Sequence, residues 1–289
     1  MPSYSYEKSI KSNTSDERIN VYLQRPIAGL IVRALYGAPV TPNHLTIVSI
    51  IFGVIGGALL AFPDAQLAAA RICFYMKDIF DSADGQLARA KQQFSRRGRF
   101  LDSIGDFVVN LFLFGGISVF LQRDGIPMGA AVLIGIAGFL GTSLRVSYHV
   151  FYHTSFLHGE QKYQTNRTTE EIRNEDYLEG RTTLLLQKIF FYLYGWQDQF
   201  VRMLDQWCFD GKIRDRSKMP KSWYQDTTAL HVSGLLGLGT EYVGLTVCFL
   251  FGSIPAYLFF TLLALNGVWL SSVFYRKFFL ASRIIRGTE

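Results

Sequence analysis

The chain has 289 residues, of which 49% are apolar, 15% aromatic and 18% charged. That mixture excludes a disordered chain and a small disulfide-stapled fold, and it is too apolar for an ordinary soluble domain yet too polar to lie in a bilayer throughout. The formal charge of +6 collects mostly beside apolar runs, which points to anionic lipid or phosphorylated substrates rather than to nucleic acid.

The first forty residues are polar or amphipathic and lack the short apolar core of a cleavable leader. Ser15-Asp16-Glu17 reads as a helix start, and Ile19, Tyr22, Leu23, Ile27, Leu30, Ile31 and Leu35 follow at helical spacing with Arg18, Arg25 and Arg33 between them. Pro26 is expected to kink or divide this helix. Residues 1–40 are therefore read as a cytosolic segment with an amphipathic helix lying in the membrane interface.

Thr41-Pro42-Asn43 opens the first span, residues 45–62, an uncharged run long enough for most of a bilayer core. Pro63-Asp64 then makes a turn. The second run, 65–91, is helical in pattern but carries Arg71, Lys77, Asp78, Asp81, Asp84 and Arg89; charges in such a segment face a cavity and mark function, so it is read as a span. Lys77 reads either as functional or as a snorkelling cation. Further spans are expected at 99–122 and 126–153, then at 227–251, containing Glu241, and at 253–275. Between them, 157–226 reads as a cytosolic connection: a charged stretch, an aromatic-rich stretch at 184–209 forming one or two interfacial helices, and a basic end. The fold class is all-α, a polytopic membrane protein of six transmembrane helices. Residues 41–156 hold the first four spans and the acidic motif, and 227–289 the last two and a tail.

Orientation follows from the basic residues. The N-terminal segment, the turn with Lys91, Arg96, Arg97 and Arg99, the long connection and the tail with Arg276, Lys277, Arg283 and Arg286 fall on one side. Only Arg123 marks the short turns of the other. Both termini, and the acidic motif beside the basic turn, are expected on the cytosolic face of a cell or inner membrane. Cys73, Cys208 and Cys248 are too widely spaced for a disulfide framework or a zinc site.

The segment from 81 to 106 reads DSADGQLARAKQQFSRRGRFLDSIGD. Asp81 and Asp84 are spaced i,i+3, and Asp102 and Asp106 i,i+4, so each pair occupies one helix face and a hairpin of the two helices brings all four carboxylates together. Like charges in reduced dielectric repel, and a hard divalent cation offsets that repulsion; oxygen-only ligands select Mg²⁺ or a relative such as Mn²⁺ or Ca²⁺ over zinc. Arg89, Ser95, Arg96, Arg97 and Arg99 are suitable phosphate partners. Gly85, Ala88 and Gly98 leave room for a ligand. One carboxylate can also act as a general base. Together these residues point to metal-assisted transfer on a phosphate anhydride.

Asp81-x-x-Asp84-Gly85-x-x-Ala88-Arg89, eight residues, then Gly98-x-x-x-Asp102-x-x-x-Asp106 resembles, at all eight of its fixed positions, the signature of the CDP-alcohol phosphotransferases, also called CDP-alcohol phosphatidyltransferases. Thr41-Pro42-Asn43 after an amphipathic helix is similar to another feature of that family. The resemblance covers roughly residues 15–153; beyond them only the span count agrees. It implies a six-helix membrane fold, a homodimer, an active site on the cytosolic face and two Mg²⁺ or Mn²⁺ ions. It implies that Asp81, Asp84 and Asp102 hold the metals, with Asp106 as a further ligand and as the base that deprotonates the acceptor hydroxyl. Asn43, Gly85, Ala88, Arg89, Ser95 and Gly98 would receive the CDP group. A stretch in relatives that use inositol phosphate or glycerol phosphate is partly matched around Arg145, so Arg145, with Arg97, is carried as an acceptor ligand; a positive-inside anchor is the other reading of Arg145.

The expected partners are a CDP-alcohol donor such as CDP-diacylglycerol, an alcohol acceptor such as a phosphorylated polyol, and membrane lipids. Two alternatives stay open: transfer of a CDP-linked small head group to a lipid alcohol such as diacylglycerol, and a divalent-cation channel or transporter, which would place its carboxylates deep in the bilayer or open to both sides.

Overall fold

The computed structural model describes residues 24–62, 67–159, 177, 180–209 and 220–287. The expected helix start at 15–23, the turn at Pro63-Asp64, most of the charged part of the long connection and most of its basic end lie outside the described residues.

Every regular element among the described residues is helical. In chain order these are α1 (Arg25–Leu35), α2 (Pro42–Leu59), α3 (Leu67–Lys91), α4 (Arg96–Arg123), α5 (Met128–Gly159), α6 (Arg181–Cys208), α7 (Lys221–Gln225), α8 (Thr227–Gly234), α9 (Leu238–Leu250) and α10 (Ile254–Arg286). Local sequence sets many of the starts. Pro26 stands in the first turn of α1, where its missing N–H costs nothing. Thr41 precedes α2 with Pro42 in the first turn, and its N–H donates to His44 Nδ1 at 3.2 Å. Ser95 caps α4 by accepting from Gly98 N at 2.9 Å, and Asp226 caps α8 by accepting from Ala229 N at 2.8 Å.

Among the described residues, four helices are long and apolar enough to cross a membrane: α2, α4, α5 and α10. The expected span at 227–251 is two helices, α8 and α9, bent by 43° at a short break, and together they would make a fifth. Helix α3 has the length, at 25 residues, but its charges keep its hydropathy low. Residues expected to pack on lipid are apolar and exposed: Ile47, Ile51 and Ile55 recur every fourth residue on α2, and Leu133, Ile136 and Leu140 form a similar stripe on α5. This is the arrangement of an integral membrane protein.

The bundle is built around α2, which packs against both α3 and α4. Small residues let it do so. A side chain at Gly57 would run into the backbone of Phe112 and Leu113, and one at Gly116 into the Gly57 carbonyl, so the two backbones are in direct contact at this crossing. The main core gathers Phe74, Val109, Leu113, Phe114, Tyr242, Leu245 and Phe249, from α3, α4 and α9. Helix α1 packs on α3 through Ala28, Val32, Ala83 and Leu87, and polar bonds pin it there: Gln24 donates to Asp78, Gln86 Nε2 to the Arg25 carbonyl at 3.1 Å, and Lys91 Nζ to the carbonyls of Ala38 and Val40, both at 2.8 Å.

The aromatic stretch expected as one or two interfacial helices is a single 28-residue helix, α6, and it packs on α4 and α5. Tyr194 Oη donates to the Ser103 carbonyl at 2.6 Å, and Phe190 meets Phe100 with ring centroids 5.3 Å apart. Its polar residues are consumed by the bundle. Gln197 accepts from Ser147 at 2.6 Å, and Asp205 accepts from Tyr152, Trp223 and Tyr224 at 2.7, 2.8 and 3.0 Å.

Candidate functional site

The hairpin of α3 and α4 brings three of the four carboxylates together. Asp81 and Asp84 stand near the end of α3, Asp102 and Asp106 near the start of α4, and the turn between them carries Gln92, whose positive φ of 55° reverses the chain. Asp81, Asp102 and Asp106 each offer one oxygen, all within 4.8 Å of one another and all half-buried. Asp84 turns aside: its Oδ2 accepts from Thr46 Oγ1 at 2.5 Å, which ties α3 to α2.

Lys77, one turn before Asp81, is almost wholly buried, and its ammonium reaches both helices of the hairpin. It bonds Asp81 Oδ1 at 3.2 Å and Asp106 Oδ1 at 2.7 Å, and lies 4.4 Å from the centre of the Tyr242 ring. The cluster thus holds both negative and positive charge in a half-buried setting. Its all-oxygen donor set is the kind a hard divalent cation takes, and Asp81, Asp102 and Asp106 are the residues that could hold one.

Two cavities meet at the cluster. The larger, about 500 Å³, is bordered by Asn43, Thr46, Asp84, Gly85, Ala88, Phe94, Ser95, Arg96, Gly98, Arg99 and Asp102. Phe94 stands exposed in its wall. The smaller, about 230 Å³, is bordered by Gln24, Arg25, Asp81, Ser82, Asp84, Gly85, Arg89, Asp102 and, from the far side, Leu238, Gly239 and Tyr242 of α9. Asp84, Gly85 and Asp102 belong to both. A ligand spanning the two spaces would pass directly over these three residues.

Of the residues picked out in the sequence, Asn43, Gly85, Ala88, Ser95 and Gly98 line the larger cavity. Gly98 is small for a reason: a side chain there would press on Asn43 Oδ1 and Ser95 Oγ, the groups that enclose this corner. Arg89 faces the smaller cavity instead. Arg97 is exposed and borders neither, whereas its neighbours Arg96 and Arg99 border the larger one. Asp106 also borders neither; it belongs to the carboxylate cluster itself and accepts from Lys77 Nζ.

Arg145 is fully buried in a different place. Its Nη2 pairs with Glu241 Oε2 at 2.8 Å and donates to Thr142 and Thr261, while Nη1 donates to the Thr261 carbonyl and to Asn266. Tyr257 Oη completes the group by donating to Glu241 Oε1 at 2.7 Å. This network joins α5, α9 and α10.

Sequence reasoning passed over Thr46, Phe94, Tyr242 and Gln24 at the site. Thr46 had a legible signal, one helical turn after Asn43 at the start of α2; Tyr242 and Gln24 are brought in from distant segments by the tertiary fold.

A sequence model of the CDP-alcohol phosphatidyltransferase family matches residues 39–208. The chain is 35% identical over 97 residues to a bifunctional IPC transferase and DIPP synthase of Thermococcus kodakarensis, a match covering 34% of this chain and 22% of that protein. It is 32% identical over 100 residues to a phosphatidylinositol phosphate synthase of Streptomyces avermitilis, covering 35% and 39%. It is 35% identical over 96 residues to a phosphatidylinositol phosphate synthase of Corynebacterium glutamicum, covering 33% and 42%. The matches thus span between about a fifth and two fifths of these relatives.

Proposed function

We propose that this chain, which belongs to the CDP-alcohol phosphatidyltransferase family, transfers a phosphatidyl group from CDP-diacylglycerol to a small phosphorylated polyol and releases CMP. The observation that carries this reading is the junction of two cavities at Asp84, Gly85 and Asp102. The larger has the volume of a small-molecule site and takes the nucleotide diphosphate, with Asn43, Gly85, Ala88, Ser95 and Gly98 around it and Arg96 and Arg99 beside its phosphates. The smaller, with the guanidinium groups of Arg25 and Arg89, takes an acceptor that carries its own phosphate. The printed names of the relatives, phosphatidylinositol phosphate synthase among them, support an inositol phosphate or a similar polyol phosphate as that acceptor.

In this mechanism Asp81, Asp84, Asp102 and Asp106 would hold two Mg²⁺ or Mn²⁺ ions, whose chemistry there would be to offset negative charge on the donor's phosphates. The acceptor hydroxyl attacks the β-phosphorus. A new P–O bond forms as the bond to CMP breaks, the electron pair leaves on CMP, and the hydroxyl proton passes to a carboxylate of the cluster. We assign that base role to Asp106, held at one oxygen by Lys77. The arginines hold the two substrates in line, which makes the step effectively intramolecular.

Counting the charged helix α3 as a span, with α8 and α9 as one broken span, brings the total to six. Helix α1 lies in the interface, the carboxylates face the cytosol beside the basic turn, and the protein works as a homodimer. The donor's acyl chains then stay in the bilayer while its nucleotide reaches the hairpin.

A panel of polyol phosphates, incubated with purified protein, divalent cation and labelled CDP-diacylglycerol, tests the acceptor. Labelled phospholipid is expected with an inositol or glycerol phosphate and not with the unphosphorylated polyol. Product with diacylglycerol and a CDP-linked head group, and with none of the panel, would reverse the assignment of donor and acceptor.

A further inference from the structure

We infer that Lys77 is a resident counter-cation of the aspartate cluster, which leaves one tight divalent position in the nucleotide-free protein and makes the second conditional on the donor. The inference rests on the metal-assisted reading of the cluster given above.

Lys77 is held in place from several sides. Its ammonium bonds a carboxylate on its own helix and another on α4, at 3.2 and 2.7 Å, and faces the Tyr242 ring of α9 at 4.4 Å. Its backbone carbonyl accepts from Ser49 Oγ at 3.0 Å, and its stem passes Gly53 so closely that a methyl group there would sit 3.1 Å from Lys77 Cγ. A lysine so enclosed is almost wholly buried, with its charge turned onto the two carboxylates. Two of the three carboxylates able to share an ion, Asp81 and Asp106, are therefore already bonded to a cation that belongs to the chain.

Charge sets the consequence. The four carboxylates and one ammonium carry a formal charge of −3. A first divalent ion brings this to −1, and a second would carry it past neutrality to +1 while competing with the ammonium for Asp106. Without Lys77 the same two ions would bring the four carboxylates only to neutrality. In a half-buried site such differences weigh heavily on affinity. The pyrophosphate of a donor adds negative charge beside the cluster and restores the attraction for a second ion. Lys77 thus acts as a positioning residue that orders assembly, with one metal first and the other together with the nucleotide.

Mn²⁺ titration of the purified protein, followed by electron paramagnetic resonance with and without CDP and corrected by a CDP-only blank, reads this directly. Wild type is expected to bind one Mn²⁺ tightly alone and two with CDP. Lys77→Met is expected to bind two without CDP, the second about tenfold tighter or more than in wild type. Lys77→Arg, which keeps the charge, is expected to keep the single tight ion. Two equally tight ions in nucleotide-free wild type would overturn the inference, and that arm needs no variant to fold. No Mn²⁺ bound by wild type under either condition would overturn the metal-assisted reading and this inference with it.

Discussion

Asp102→Asn is expected to lower transfer on the order of 10³-fold, about 4 kcal/mol of transition-state stabilisation, with little change in thermal unfolding. Asp102 borders both cavities and contributes one of the three clustered oxygens, so in the proposed reaction it stands where the two substrates meet. Replacing it removes a like charge from a crowded acidic group, which does not weaken packing. Product formation under saturating divalent cation, measured beside a melting curve, checks the expectation. A variant that melts early and loses activity in proportion would show Asp102 to be structural.

The opposite pattern is expected at Arg145. Arg145→Leu leaves Glu241 buried without its cation, and breaking a buried pair in this way costs about 3–5 kcal/mol. Replacing both members, Arg145→Leu with Glu241→Leu, is expected to recover part of that loss, because no uncompensated charge remains. The thermal midpoint of the three variants in detergent reads it. A substrate ligand behaves differently: its loss raises KM for the acceptor while the protein melts normally. The two outcomes separate the structural role that the buried network assigns to Arg145 from the acceptor role suggested by the sequence.

The acidic hairpin was legible in the sequence because its information is local. Spacings of three and four residues along two adjacent helices fix which face each carboxylate occupies, whatever the rest of the chain does. The same locality gave the start of α2 at Thr41-Pro42 and the cap at Ser95. What escaped depends on contacts between distant segments. Asp84 is turned aside by Thr46, 38 positions earlier. Lys77 reads as functional or as a snorkelling cation in sequence, and its bond to Asp106 comes from the next helix. That Arg145 pairs with Glu241, 96 residues later, is likewise not visible from its own neighbours in sequence.

Helix α6 teaches the same lesson at larger scale. Its charges and aromatic residues resemble an interfacial helix in sequence, yet Gln187, Gln197 and Asp205 are buried. The partners of Gln197 and Asp205 come from α5 and from the segment that forms α7, which no periodicity along α6 alone reveals. Likewise, the apolar run at 227–251 gives hydropathy but not the bend, because the break at 235–237 falls between two stretches that are each helical in pattern.

The central claim, that the hairpin of α3 and α4 cleaves a nucleotide diphosphate with the help of a divalent ion, is tested most directly by CMP release. Purified protein is given CDP-diacylglycerol and a polyol phosphate, with Mg²⁺ or Mn²⁺ present or removed by chelator, and CMP is measured for wild type and Asp84→Asn in parallel. CMP is expected only from wild type, only with the divalent ion, and in step with the labelled lipid product. CMP formed equally in the presence of chelator, or equally by Asp84→Asn, would contradict it.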